Sequence, residues 1–318
     1  MTRSIRKDRS GAVLRVVAAG TCWGLAATMA KVAFDHGVPP IRMAEARVVV
    51  AFVILAAILA GWRRELLHPP AGTWPVLAAF GLAVAGVNAA YYIAIDRLAV
   101  GVAVSLQYTA PVLLLGLAAA GAIAPRRPGP GRTAWVAAAL TLGGAVLVSR
   151  AYQGLHRVDG RGLLAAGASA LLFGAYLLTA ARAGRRGAHP ATVLFWGFIV
   201  AMVVWTAVSP WWSWPVSKLG DPKVALAVLG VGLVGTLLPF LLAVGAVRVL
   251  PPATAGIAAT VEPPAAAAFA WVFLGQHLAP VQLMGGALVI IGVALAYRVP
   301  LLAGEALGPE AMAVEPSV

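Results

Sequence analysis

Charged residues are scarce in this chain, and that scarcity excludes most classes of soluble protein. Only 11% of its 318 residues are charged, whereas 61% are hydrophobic, and the mean hydropathy is +0.89. A typical soluble domain has about a quarter of its residues charged, because those residues cover its surface. The composition therefore predicts a polytopic membrane protein.

Acidic residues and cysteines are scarcer still. There are 11 acidic against 24 basic residues, which gives a net charge of +13. In a soluble chain this charge would suggest nucleic-acid binding. Here the basic residues lie in short segments between apolar runs, as they do where charge sets membrane topology, so we expect no nucleic-acid partner. The single cysteine, Cys22, excludes an intramolecular disulfide or a cysteine metal site, and we expect neither metal nor cofactor.

Ten apolar runs, each of roughly the 17–25 residues that a membrane-crossing helix needs, follow one another along the chain. They are predicted at 13–33, 40–61, 74–95, 98–121, 133–149, 162–181, 190–209, 223–246, 252–273 and 281–299. Lys and Arg between the runs fall mainly on the side of the N-terminus. The positive-inside rule then predicts that both termini are cytoplasmic.

The runs form one layout that occurs twice. The segment 18–27, with Trp23-Gly24, matches the segment 168–177, with Phe173-Gly174. Each copy has five runs, an odd number, so the second copy must be inverted in the membrane. Inverted repeats place a substrate site near the midplane between the halves. The match also indicates that the first run, which resembles a secretory signal peptide, is retained as a helix.

The predicted fold class is therefore an all-α polytopic membrane protein with ten transmembrane helices arranged as two inverted five-helix repeats. The predicted divisions are a basic cytoplasmic tail at 1–12, a first repeat at 13–149, an extracytoplasmic linker at 150–161, a second repeat at 162–299 and a disordered cytoplasmic tail at 300–318.

The stretch 248–280 is the most informative in the chain. It is apolar for more than twenty residues but carries Glu262 near its middle, which Pro263 follows directly. A carboxylate at bilayer depth costs roughly 2.5–3.5 kcal/mol on insertion scales, so it normally faces a protein interior or a wet cavity. The proline kinks the helix and frees backbone carbonyls. The stretch 97–124 has the same layout, with Pro111 at the position of Pro263, and repeated interrupted helices point to a transporter's binding site.

Polar and aromatic residues at similar depth complete the predicted site. Those assigned to substrate binding are Glu262, Trp23, Phe173, Tyr176, Asn88, Tyr92, Gln107 and Tyr108, and those assigned to structure or coupling are Glu45, Arg47, Pro111 and Pro263. No catalytic residue is predicted. Each assignment has an alternative: Glu262 as a protonated cap on the freed carbonyls, the aromatic residues as helix packing, and the amide and phenol groups as hydrogen bonds between helices.

Three charged residues early in the second run are weighed separately. Arg42 and Glu45 are three residues apart and can pair along one helix face, and Arg42 can also extend to the interface. Lys31 is an alternative partner for Glu45. Arg47 lies about two turns deep, so we expect it to brace the helix packing through a carbonyl or Glu45, with substrate contact as the alternative.

These residues together resemble the EamA-type transporters of the drug/metabolite transporter superfamily, over about residues 13–299. The features that carry the resemblance are Trp23-Gly24, 87–111, 235–252 and 259–278. The resemblance implies ten helices, a central cavity lined by both halves and transport of small metabolites.

The stretch 87–111 is also similar to the threonine/homoserine exporter branch. The chain departs from the family pattern at Gln276, where relatives usually carry a glutamate, and at the equivalent first-half position, Ala124.

The predicted function is secondary active transport of amino acids or related amines and drugs. Export by alternating access is the favoured mode, and proton coupling is left open. The alternatives are a passive facilitator or channel and an intramembrane lipid-modifying enzyme. We favour a non-enzyme, because no metal-ligand spacing or nucleophile motif is present. The expected partners are a small-molecule substrate and the bilayer of the plasma (inner) membrane, with the chain acting as a monomer or a homodimer.

Overall fold

The computed structural model describes residues 2–98, 100–123, 129–154 and 159–298. Ala124 and the tail at 300–318, for which the sequence makes predictions, lie outside the described residues. The α-helices are α1 Thr2–Asp35, α2 Pro40–Trp62, α3 Trp74–Arg97, α4 Val100–Gln107, α5 Ala110–Ala119, α6 Arg132–Val148, α7 Gly160–Arg185, α8 Pro190–Val208, α9 Pro222–Gly232, α10 Leu238–Ala246, α11 Pro252–Ala259, α12 Glu262–Leu274 and α13 Pro280–Arg298.

These helices form ten segments that correspond to the ten predicted runs. Within the described ranges, eight segments are long and apolar enough to cross a membrane, and α6 and α13 are shorter apolar helices. Three segments are interrupted: α4 continues as α5, α11 continues as α12, and α9 passes through a π-helical turn at Leu233–Leu237 into α10. The helix α1 also runs through the predicted basic tail. The all-α, ten-helix prediction is confirmed.

The two halves repeat each other down to the turns. Gly37 after α1 has φ +81° and Gly187 after α7 has φ +82°, a conformation that favours glycine. In both turns the N–H of the next residue donates to a carbonyl five residues back, which is the Schellman closure of a helix. The following helices then both begin with a proline, Pro40 and Pro190, which is pre-organised for a first helical turn.

The packing of the halves has the symmetry expected for an inverted repeat. α3 of the first half packs against α7 and α8 of the second. In the same way, α9 of the second half packs against α1 and α2 of the first, and α10 packs against α1. α6 packs against its counterpart α13. Because each half crosses the membrane five times, α1, α3, α8 and α11 all begin at one face, here called the N-terminal face, and α2, α4, α7 and α9 begin at the opposite face.

Glycines allow the helix backbones to touch at the closest of these contacts. A Cβ added to Gly81 would lie 2.6 Å from the carbonyl oxygen of Gly197, and one added to Gly144 would lie 2.6 Å from that of Gly285. Small residues are the usual means by which membrane helices approach closely, since no hydrophobic force drives them together in lipid. The α3–α8 and α6–α13 contacts therefore depend on glycine.

Candidate functional site

The candidate site is built where two interrupted helices meet. α4 ends at Gln107 and α5 begins at Ala110, while α11 ends at Ala259 and α12 begins at Glu262, so each break spans two residues. Pro111 and Pro263 each lie in the first turn of the second helix, where the missing N–H has no intrahelical acceptor to lose. The predicted kinks are thus complete breaks at equivalent positions.

The two interrupted segments also touch each other. A Cβ added to Gly256 of α11 would lie 3.0 Å from Cγ of Pro111 in α5. The glycine therefore brings the backbone of one segment against the proline ring of the other. As a result, the two breaks lie side by side.

Glu262 links the two breaks. It is the first residue of α12, where unpaired N–H groups and the helix dipole favour a negative charge. The hydroxyl of Tyr108, which lies in the break of the first repeat, donates a hydrogen bond of 2.5 Å to Oε2 of Glu262. The ring of Tyr108 packs edge-on against Phe173, with centroids 6.1 Å apart. One carboxylate is thus held by groups from both halves.

A cavity of ≈ 110 Å³ lies at the level of the breaks and is lined by both halves. Seven of the predicted substrate-binding residues line it: Trp23, Asn88, Gln107, Tyr108, Phe173, Tyr176 and Glu262. Tyr92 is outside this lining, whereas Arg47, predicted as structural, is part of it.

Arg47 braces a π-helical turn. Its Nε donates to Oγ1 of Thr236 at 2.8 Å, and one terminal nitrogen donates to the carbonyl oxygen of Gly235 at 2.8 Å. Thr236 in turn donates to the carbonyl five residues back, at Val231. The expected bracing through a carbonyl is present, but the partner is the π turn and not Glu45. The Tyr92 hydroxyl lies beside the Arg47 guanidinium, although Tyr92 itself does not line the cavity.

The remaining polar residues of the cavity have different surroundings. Gln107 accepts a hydrogen bond of 3.0 Å from Ser169, which ties α4 to α7. Asn88 donates to the carbonyl of Val84 in its own helix at 2.7 Å. The buried hydroxyl of Tyr176 has no hydrogen-bond partner among the residues that the structure describes. The cavity wall thus carries a carboxylate, a guanidinium and a phenol, with aromatic rings around them.

An aromatic layer closes the cavity towards the N-terminal face. The ring of Tyr176 lies 5.6 Å from that of Phe80 and 5.4 Å from that of Phe240, centroid to centroid, and Phe198 lies 6.1 Å from Phe240. Phe80 and Phe198 are fully buried, Phe80 in the second turn of α3 and Phe198 in the middle of α8. Arg47 and the lining residues of α3 and α4 lie nearer the opposite face than this layer does.

Glu45 belongs to a separate polar network. Its Oε2 lies 3.2 Å from Arg42, which is the predicted pairing. Arg42 also donates to Oγ of Ser209 at 2.6 Å and to Oγ of Ser213 at 2.8 Å. Lys31, the alternative partner, pairs with Asp35 one turn along the same helix. The network fastens the beginning of α2 to the loop after α8.

Four lining residues were not among the predicted site residues: Val87, Tyr91, Val104 and Phe240. Phe240 could have been identified by comparing the two repeats. α3 has 24 residues and the α9–α10 segment has 25, because the π turn adds one. Beyond that turn Phe240 therefore corresponds to Tyr91. Val87 and Val104 lie one turn from Tyr91 and Gln107 and share their helix faces.

Two inverted halves, each with an interrupted helix at a central cavity, define a membrane transporter of the inverted-repeat class. A model of the EamA-like transporter family matches residues 10–150 and 160–298. The chain belongs to the EamA-like transporter family.

Individual relatives agree with this assignment. The chain is 30% identical over 249 residues to the protein named "Threonine/homoserine exporter RhtA" of Escherichia coli K12, which covers 76% of this chain and 77% of the relative. It is 24% identical over 289 residues to "Uncharacterized transporter YwfM" of Bacillus subtilis, at 90% and 94% coverage. A crystal structure at 21% identity superposes with a TM-score of 0.69 over 90% of this chain and 96% of the other, which shows the same fold.

Proposed function

We propose that the protein is a secondary active exporter of small amino acids, working by alternating access around the central cavity. The observation that carries this proposal is that Glu262 and Arg47 both line the central cavity. An amino acid presents an ammonium and a carboxylate, and these groups match a carboxylate and a guanidinium. The relative at 30% identity bears the name of a threonine/homoserine exporter, which supports the same substrate class.

Each cavity residue then has a role towards the substrate. Glu262 accepts hydrogen bonds from the ammonium group in place of the Tyr108 hydroxyl. Two donors of Arg47 hold the π turn, and its other N–H groups are directed to the substrate carboxylate, since a guanidinium carries five donors. Tyr176 offers its hydroxyl to a side-chain hydroxyl. The aromatic rings exclude water and favour the ammonium through cation–π attraction.

Transport requires the cavity to open on its closed side and to close on its open side. The aromatic layer of Phe80, Tyr176, Phe198 and Phe240 closes the N-terminal face in this conformation. Its opening, with closure on the other side, moves the substrate between faces in the manner of inverted-repeat transporters. Glu262 can carry either a proton or the ammonium group, and this competition would couple export to a proton gradient.

The orientation of the chain is a separate prediction. We expect both termini in the cytoplasm, because Lys and Arg concentrate in the segments on their side. Reporter fusions after Val158 and at the C-terminus should therefore report extracytoplasmic and cytoplasmic locations, respectively. A C-terminus on the same side as Val158 would contradict the inverted-repeat topology.

The substrate class can be tested with purified protein. Proteoliposomes preloaded with unlabelled threonine or homoserine should accumulate the labelled amino acid by counterflow. Small amines that lack the carboxylate should compete less well, because Arg47 then has no partner in the substrate. Equal competition by the amine and the amino acid would contradict the role of Arg47, and the lack of counterflow with any amino acid would contradict the substrate class.

A further inference from the structure

A second cavity, of ≈ 360 Å³, lies between α2 and α8. Its walls include the apolar side chains of Val48, Phe52, Val53 and Met202. Val53 is 57% exposed on the outer surface of the helices, which in a membrane faces lipid. The cavity therefore adjoins the hydrocarbon of the bilayer.

Two buried polar atoms in this cavity lack partners. Glu45 and Trp205 both line it, and each is only 3% exposed. Across the described part of the chain, neither Oε1 of Glu45 nor Nε1 of Trp205 has a hydrogen-bond partner. A buried donor or acceptor without a partner costs about 1–3 kcal/mol. The arrangement is therefore unfavourable unless another molecule satisfies both atoms.

The backbone places these two residues near each other. Ser209 donates to Glu45 Oε2 at 3.4 Å, and the N–H of Ser209 donates to the carbonyl of Trp205 at 2.7 Å. Trp205 is thus one turn from a residue that contacts Glu45, and residues four apart on a helix are neighbours. The indole donor and the carboxylate acceptor share one end of the cavity, near the beginning of α2 and the end of α8.

The chemistry of the two atoms selects the head group of a ligand. Arg42 already pairs with Glu45, so a second cation is not needed to balance the charge. An ammonium could donate to Glu45, but it has no lone pair to accept from the indole N–H. A hydroxyl both donates and accepts. The geometry points to a binding site for a hydroxyl-bearing amphiphile, with its alcohol head between Glu45 and Trp205 and its apolar body along Phe52 and Met202.

Photolabelling with two matched probes tests this site. The protein is placed in nanodiscs of phosphatidylcholine, whose head group has no hydroxyl, and is irradiated with a diazirine-bearing long-chain alcohol or its methyl ether. The ether is larger by one methyl group and can still accept from the indole, but it cannot donate to Glu45. Mass spectrometry should locate the alcohol label on α2 and α8 at about fivefold higher yield than the ether label, which corresponds to the loss of one hydrogen bond.

A pair of matched variants isolates the indole. Trp205→Phe should lower labelling by the alcohol about fivefold, as expected for one lost hydrogen bond. Trp196→Phe should leave it unchanged, because that indole already donates to the carbonyl of Leu67 at 2.9 Å. Equal labelling of Trp205→Phe and wild type would overturn the proposal. If Trp205→Phe does not fold, the comparison of the two probes on the wild-type chain decides alone.

Competition then identifies the source of the alcohol. Displacement of the probe by 1-octanol but not by monooleoylglycerol would support a free alcohol, and the reverse would support a lipid with a hydroxyl head group. Equal labelling of the wild type by the alcohol and the ether would overturn the proposal, and would mean that the cavity takes apolar chains while water bridges the two polar atoms.

Discussion

The Glu262→Gln variant should fold and insert like the parent chain but lose transport driven by a pH gradient. Glutamine keeps the size of the side chain and can still accept the hydrogen bond from Tyr108. It cannot release a proton, and it replaces a charged partner of the substrate ammonium with a neutral one. A hydrogen bond to a charged group contributes about 1.5–3 kcal/mol, so substrate binding should weaken roughly 10- to 100-fold.

The measurement is substrate flux in proteoliposomes at several imposed pH gradients. Glu65→Gln serves as the matched control, since Glu65 lies in a short exposed segment between α2 and α3 and pairs with Arg63. It should keep both the rate and the pH dependence. If Glu262→Gln transports at the wild-type rate with unchanged pH dependence, the carboxyl group only caps the helix break, and any coupling would rest on another buried carboxylate such as Glu45.

Adding one methyl group to Gly144 should destabilise the protein, although the same change at Gly143 should not. A Cβ on Gly144 would lie 2.6 Å from the carbonyl oxygen of Gly285, so α6 and α13 would have to move apart. Nothing lies within 4 Å of a Cβ on Gly143. Overpacking of this kind costs about 1–3 kcal/mol, whereas alanine in place of a helical glycine with free space around it is favourable by up to about 1 kcal/mol.

The thermal unfolding midpoint in detergent distinguishes the two variants. Gly144→Ala should unfold several degrees below the wild type, and Gly143→Ala at or slightly above it. Gly285→Ala should behave like Gly144→Ala, because its Cβ would lie 2.7 Å from the carbonyl oxygen of Gly144. Equal midpoints for Gly143→Ala and Gly144→Ala would show that the helices separate without cost, and would contradict the close α6–α13 contact.

The helix breaks could be predicted from the sequence, because proline acts locally. Pro111 and Pro263 remove backbone donors wherever the rest of the chain lies, and the repeat confirms their equivalence. The hydrogen bond between Tyr108 and Glu262 could not be predicted in the same way. It depends on the side-by-side position of the two breaks, and that position is set by packing at Gly256.

The π turn had a local signal in Pro239, because its missing N–H leaves the carbonyl of Gly235 without its usual donor in an α-helix. Leu233–Leu237 contains no proline, and it is held by two hydrogen bonds from Arg47, a residue far away in the chain. A carbonyl was one of the two partners expected for Arg47, but the sequence did not indicate that it would be the carbonyl of Gly235. π turns are frequent at functional sites. The α9–α10 segment is one residue longer than α3, and this difference in length also indicates the π turn.

The two repeats differ at one equivalent position beside the cavity. Counted from the prolines that begin α2 and α8, Arg47 and Gly197 hold the same position. Gly197 allows Phe80 and Gly81 of α3 to pack directly on α8, which closes the N-terminal side. At the equivalent position in α2, Arg47 places a long side chain against the π turn. α2 nevertheless packs closely on α9, since a Cβ added to Gly232 would lie 2.3 Å from Cγ1 of Val50.

Accessibility of single cysteines tests alternating access most directly, because the chain has one native cysteine, Cys22. In a Cys22→Ser background, Val104→Cys reports on the cavity and Thr179→Cys reports on the region beyond the aromatic layer, one turn past Tyr176 in α7. We expect Val104→Cys to react with an impermeant thiol reagent from the face opposite the N-terminus, while Thr179→Cys is protected. A substrate gradient should lower the reactivity of Val104→Cys and, at the same time, raise that of Thr179→Cys. Simultaneous reaction at both positions would indicate a channel and contradict alternating access.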